Sequence, residues 1–425
     1  MRLVLFVLAL VAAPLDALFA QQRSGIALTS IDPEVRPQDD FWRFANGKWL
    51  ATNEIPADRP SWDTFAELRE KTQGQLRTLI ENIPANAGGE QRRIADFYAS
   101  FMDERAVEKA GLAALAPELD RIRRTVDRSA LPALFAHLSA LWVRVPFFID
   151  VGPDERDAAT YVVHLRQGSL GLPDRDYYLK DDPHFRTVRA AYRSHIARLL
   201  SMAGEAAGDR DVDGVLELET ALARLQWTRV QNRDPVKTYN KRSIVELPAL
   251  ISSADWRAYF NASGAPADLA TVVVVQPSYI DGLGSALRDV PMSAWRAWLA
   301  YNLLSAYASY LPASYAGEDF AFEQRIVRGV PEMQPRWKRA VAAVDESVKA
   351  EVPTVVGAEG GHRVGRSFAA HDVVRGAGAL VARDAAGIAV LAGEVDGALV
   401  GGAAVGVEPF AELHGSAGGG LEGDD

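Results

Sequence analysis

Through most of this chain apolar side chains recur every three or four residues, and the rhythm stops abruptly near Lys349. Such a period gathers apolar groups into one stripe of an α-helix, so the larger part of the chain is restricted to packed helices. Thr64 and Glu67 are spaced as a capping box ahead of Phe65, Leu68, Leu76, Leu79 and Ile83, and Pro84 ends that run. Ile94, Phe97, Tyr98, Phe101 and Met102 make the next stripe, closed by Gly111. Leu131, Leu134, Phe135, Leu138, Leu141 and Trp142 make another. Helices are expected over 182–202, over 212–227 on Leu216, Leu218, Leu222 and Leu225, and from Ser243, where Glu246 completes a second capping box. "MSAWRAWLAYNLLSAYASYL" reads as a helix whose Trp295, Trp298 and Tyr307 belong to the core. "PRWKRAVAAVDESV" reads as a helix with Trp337, Val341, Val344 and Val348 inward. The β-rich runs "PFFIDVG" and "TYVVHLRQG", separated by "PDERDAA", predict a hairpin with a longer loop, and "TVVVVQ" is a candidate buried strand. The fold class is therefore mainly α: a large multi-helix domain with a small β-hairpin.

Beyond Lys349 the text changes. The last 75 residues hold 17 of the 34 glycines, no Lys, Trp or Tyr, and only Phe368 and Phe410 among aromatics. Each Gly costs a helix roughly 1 kcal/mol relative to Ala, and few large side chains are present to offset the entropy of ordering. A poorly ordered Gly/Ala/Val-rich tail over 350–425 is expected, with a small Gly-rich β domain as the alternative.

A net charge of −10 over 425 residues repels phosphate backbones, which argues against a nucleic-acid partner. The absence of cysteine excludes disulfides, thiolate metal sites and a Cys nucleophile. Residues 1–20, "MRLVLFVLALVAAPLDALFA", read as a signal peptide cleaved near Ala20; an uncleaved anchor is the alternative. No later apolar run is long enough to span a bilayer, so the mature chain is expected to be exported, periplasmic or secreted, without a membrane span.

Candidate chemistry is sparse. A metallohydrolase commonly places two His on one helix face with a Glu as base. Of His137, His164, His184, His195, His362, His371 and His414, none precedes Glu and no two stand four apart. Glu359, His362, His371 and Asp372 cluster in the tail and read as solvated loop residues. No Gly-x-Ser-x-Gly occurs, and the Gly-x-Gly-x-x-Gly from Gly418 to Gly423 has no helix after it. Asp174, Asp176, Asp181 and Asp182 in "LPDRDYYLKDD" suit turn chemistry better than a pair of catalytic acids. The residues supply no catalytic or metal-ligating set.

Several strings nonetheless carry a resemblance. "IDPEVRPQDDFWRFANGKWLATNEIPADRPSWDTFAELREKTQGQLRTLIE" closely resembles the start of the mature region in neprilysin-like zinc metallopeptidases. "LGLPDRDYYL", "NRDPVKTYNKRSIVELPAL" and "PRWKRAVAAVDESV" resemble later family segments in the same order, so the likeness covers about 26–348. It implies a helical lid domain, here 21–349, that caps a thermolysin-like catalytic domain around a chamber where peptides are cleaved. In full-length members one zinc is held by a His-Glu-x-x-His helix and a later Glu. Those strings are missing here, and "KAEVPTVVGAEGG" stands where the likeness ends. The expectation is a truncated family member whose tail arose by a frameshift and which does not hydrolyse peptides alone. The alternative is a non-catalytic secreted binding module, or a helper for a separate catalytic chain. The family's lid contributes two arginines near the peptide's C-terminal carboxylate. The resemblance of "RPSWDTFAELRE" puts Arg69 on the second, while the first falls on Ser61 with Arg59 as a neighbouring substitute; a surface helix arginine is the plain alternative for Arg69. Phe41, Trp42, Phe44 and Trp49 are expected to anchor the N-terminal segment, with Asn46 and Gly47 forming its turn.

Overall fold

The computed structural model describes residues 27–351, apart from 206–207 and 253 and the side chains of 348–351. The expected signal peptide, the Gly-rich tail with its His362, His371 and His414, and the inward Val348 fall outside the described residues.

Helix α1 (Phe41–Thr52) is capped by Asp40, whose carboxylate accepts from the Arg43 amide at 2.8 Å. Asn46 and Gly47 lie inside this helix, not in a turn. Gly47 is needed because the helix passes so close to Asp32 that a Cβ there would stand 2.6 Å from the Asp32 Cβ. Phe44 and Trp49 are half-buried, but Phe41 and Trp42 are 69% and 61% exposed, so the expected anchor is only half made. The packing of α1 is chiefly on the short turn Leu28–Ser30.

Helix α2 (Thr64–Glu81) is capped by Asp63, one residue earlier than the expected box. The Asp63 carboxylate accepts from the Ala66 amide at 2.6 Å, and an anion serves the positive helix end better than the Thr64 hydroxyl. Ala66 and Ile80 are buried, whereas Phe65, Leu68 and Leu79 face outward. The expected stripe exists, but its outer half has no cover among the described residues. The next stripe is split at Asp103 into α3 (Gly89–Met102) and α4 (Glu104–Ala110), which ends at Gly111 with φ 56°. Helices α5 (Ala116–Arg124) and α6 (Leu131–Ala140) follow.

Strands β1 (Phe147–Asp154) and β2 (Asp157–Gln167) pair antiparallel, Phe147 opposite Gln167, with only Glu155 and Arg156 between them. The loop is shorter than expected because "PDERDAA" is mostly strand. Helices α7 (Asp176–Leu179), α8 (Pro183–Met202) and α9 (Asp209–Leu225) lead to β3 (Lys241–Ser243). The Ser243 amide does donate to Glu246, at 3.1 Å, but Pro248 limits the segment Ile244–Ala249 to a 3-10 helix. After α10 (Trp256–Ala262), β4 (Thr271–Val274) confirms the buried strand. It inserts parallel to β2 and antiparallel to β3, so the hairpin grows into a four-stranded sheet, β1-β2-β4-β3. Asp154 at the end of β1 is 3% exposed and accepts from Lys241 Nζ at 2.7 Å, joining the sheet's two edge strands. That bond and the Arg156 amide hold its carboxyl down at about 2.

Helices α11 (Pro277–Asp289) and α12 (Met292–Tyr307) close the core. As expected, Trp295 and Trp298 are fully buried and Tyr307 nearly so; α12 is apolar on almost every side and runs through the interior. Helix α13 (Ala313–Asp319) continues into a π-helical turn, Phe320–Ile326, and α14 (Arg336–Glu351) completes the described chain. A second, smaller core brings Ile80, Tyr98, Phe101, Val341 and Val344 of α2, α3 and α14 together. Lys338 fastens it, reaching Asp58 at 3.0 Å and Glu70 at 2.7 Å.

Candidate functional site

Arg69 lies on the outward face of α2, one turn from Phe65 and beside Leu68. It is exposed and makes no hydrogen bond or ion pair among the described residues, so its guanidinium is available to a partner. Ser61 is exposed as well. Arg59 is not available: its guanidinium pairs with Glu70, reaches Gln73 at 3.3 Å and lies 5.7 Å from the Trp62 ring centroid. Arg59 belongs to the Lys338 clasp, sharing Glu70 with it, so its guanidinium is engaged within the domain.

The histidines are dispersed. His137 bonds Glu118 at 2.7 Å, His164 bonds Glu155 at 3.0 Å, and His195 bonds Glu318 at 3.0 Å, so each histidine meets a different carboxylate. Among the described residues no three potential ligands converge on a point that would suit zinc. The four aspartates are spent on local structure. Asp174 accepts from the Asp176 amide at 3.0 Å, Asp181 pairs with Arg186, and Asp182 caps α8. Asp176 pairs with Lys180 at 2.7 Å.

The segment "LGLPDRDYYL" is instead fixed by a buried carboxylate that the periodicity had left unremarked. Glu219 of α9 is fully buried and accepts from Tyr178 Oη at 2.7 Å, Trp298 Nε1 at 2.8 Å and the Gly171 amide at 3.1 Å. Burial beside that carboxylate holds the Tyr178 phenol well above its ordinary value, so it remains a donor. Gly171 is obligatory here, since a Cβ would lie 1.8 Å from Tyr192 Oη. Glu219 occupies the same stripe as Val215 and Leu222, four residues before and three after; that spacing was the signal for it.

A cleft of about 350 Å³ opens between the end of α6 and the π-helical turn. Trp142, expected inward, stands at its lip 63% exposed with φ 60°. The cause is the helix terminus. The Val143 amide bonds the Leu138 carbonyl and the Trp142 amide bonds that of Ser139, both at 3.0 Å. This is a Schellman ending with tryptophan in the left-handed position that usually takes Gly. Arg144 donates to Asn302 Oδ1 at 2.7 Å. Opposite, burial and the nearby Glu323 push the Asp319 carboxyl up to about 7, and burial raises Glu323 as well. Asp319 and Glu323 stand four apart in an aromatic stretch, the one hint that the sequence offered. Arg144 and Asn302 carry no local signal.

Comparison with known proteins decides the family. The model for the N-terminal part of peptidase family M13 matches residues 37–359. This chain belongs to peptidase family M13. Its M13 match runs past Val348, where the resembling strings stop. Human endothelin-converting enzyme 1 is 25% identical over 336 residues, covering 76% of this chain and 43% of that protein. The Mycobacterium tuberculosis zinc metalloprotease Zmp1, solved with an inhibitor, superposes with a TM-score of 0.72 at 35% identity, over 79% of this chain and 52% of that one. PepO from Lactobacillus rhamnosis shares the fold, with a TM-score of 0.65 at 21% identity over 77% of this chain and 52% of its own. The chain thus spans about half the length of the relatives it matches. No helix among the described residues is long and apolar enough to cross a membrane.

Proposed function

We propose that this M13 domain is the substrate-chamber lid of an exported zinc endopeptidase, and that Arg69 receives the C-terminal carboxylate of the bound peptide. The observation that carries the reading is Arg69 itself: a family-matched helix presents an unengaged guanidinium on an outward apolar face. A guanidinium can hold a carboxylate through two parallel N–H···O bonds, which orients as well as attracts it. Phe65 and Leu68 beside it, with Leu79 farther along the helix, belong to the surface that a catalytic half would cover. These 425 residues hold no His-Glu-x-x-His, so in this reading the zinc comes from a catalytic half outside them, joined or separate, and the polypeptide alone leaves peptides uncut. When bound, zinc polarises the scissile carbonyl and activates water; the residues here orient the peptide and exclude solvent. Residues 1–20 serve export.

The test combines this domain with the zinc-bearing half of the M. tuberculosis enzyme and follows quenched peptides. Arg69→Ala is expected to raise KM roughly ten-fold or more for peptides ending in a free carboxylate and to leave C-terminal amides unchanged. Equal effects on acids and amides would refute the assignment of Arg69. Turnover by the isolated polypeptide, abolished by a chelator, would refute the lid reading.

A further inference from the structure

The cleft at the end of α6 takes no part in the proposed lid role, yet its polar groups are left with unmet bonding capacity. Asn302 is 1% exposed and lines the cleft; Arg144 occupies its oxygen, while Nδ2 has no partner within the protein. Glu323 Oε1 is buried and equally without a donor. A donor and an acceptor that the protein leaves unpaired in one recess can both be engaged by a single bound molecule.

Charge indicates what that molecule carries. Asp319 and Glu323 line the cleft, Glu219 approaches Arg144 and Glu323 from behind, and Glu318 adds its field to Asp319. Against them stand Arg144 and, toward Glu323, Arg328. Glu318 is itself engaged by His195 and by Arg198, the latter at 2.7 Å. Arg144 already spends a donor on Asn302, so an anion would meet mainly carboxylates. A cation would meet two partly buried acids and an exposed indole face at the lip.

We propose that this cleft binds an alkylammonium or alkylguanidinium group, its charge on Glu323 and Asp319, a carbonyl of the same ligand on Asn302 Nδ2, and its apolar stem against Trp142. The volume, at the small end of ligand clefts, suits one such side chain with its adjoining amide. The group comes either from a free amine or from a Lys or Arg residue of a peptide. A bound cation favours ionised Asp319, so binding weakens as the pH falls from 8 to 6, and protons are released on binding near neutrality.

The 425-residue protein is titrated by calorimetry at pH 8 with agmatine, with Nα-acetyl-lysine amide and Nα-acetyl-arginine amide, and with methyl glucoside and inorganic phosphate as neutral and anionic probes. Saturable binding of the cations is expected. Tighter binding of the acetyl amides than of agmatine assigns the site to peptide side chains, and the reverse assigns it to free amines. Glu323→Gln should weaken cation binding about ten-fold or more. Trp142→Gly should also weaken it while leaving the melting temperature unchanged or higher, because glycine relieves the left-handed backbone; this variant separates lost binding from lost folding. The proposal is overturned if the folded protein binds no cation below about 10 mM, if both variants bind as the parent does, or if glucoside or phosphate binds in place of the cations.

Discussion

At position 171 even a methyl group has no room. The Gly171 amide donates to Glu219 while the Tyr192 hydroxyl presses against the place a Cβ would occupy. Gly171→Ala is therefore expected to lower stability by about 3 kcal/mol, measured by urea denaturation, since Tyr192 is fully buried and cannot swing aside. Glu219 shows why single residues were the least legible level. A charged side chain on an amphipathic helix is ordinarily read as solvent-facing, and only its place in the apolar stripe, between Val215 and Leu222, argued otherwise. Trp142 was misread for a different reason. The left-handed helix ending that turns it outward is usually announced by a glycine, and here no glycine marks it.

Elements were easier to read than their orientation. The periodicity that identified α2 and α12 reports that one face is apolar, not what covers it. In α12 the interior of the same domain covers almost every side. In α2 the inner half meets α3 and α14, while Phe65, Leu68 and Leu79 stay 75%, 59% and 68% exposed. Exposed apolar clusters of this kind mark contact surfaces or promote association. Replacing Phe65 and Leu68 by Gln and Glu should reduce self-association in analytical ultracentrifugation and change folding stability by less than about 0.5 kcal/mol. A loss of several kcal/mol would show that both side chains are packed in solution. The sheet illustrates the opposite case. The hairpin and the strand "TVVVVQ" were both legible, but their union was not, because pairing β2 with β4 spans residues more than a hundred positions apart.

For the molecule as a whole, two of the shifted carboxyls couple pH to stability in opposite senses. Asp319 has a folded value near 7, above that of an unfolded chain, so folding takes up a proton and stability rises as pH falls from about 7 toward 4. Asp154 lies near 2, below its unfolded value, so the stabilisation from its Lys241 bond is present above about pH 4 and is lost as pH drops toward 2. Asp319→Asn is expected to raise stability at pH 8 by on the order of 1–3 kcal/mol and to flatten the slope between pH 7 and 4. An unchanged pH profile in that variant would show that Asp319 titrates as an ordinary surface acid. The helical class was legible from the apolar period, and the family from several long strings agreeing in order. The cleft was not, because Trp142, Arg144, Asn302 and Asp319 meet only once the chain has folded.

The Glu219 junction bears on how motifs are used. Two donors of "LGLPDRDYYL", the Gly171 amide and the Tyr178 hydroxyl, converge with Trp298 Nε1 on one carboxylate from another helix, so that string serves assembly. A genome survey that scores chains by it will detect a well-built scaffold. What reports the chemistry is the zinc-holding strings, which lie elsewhere.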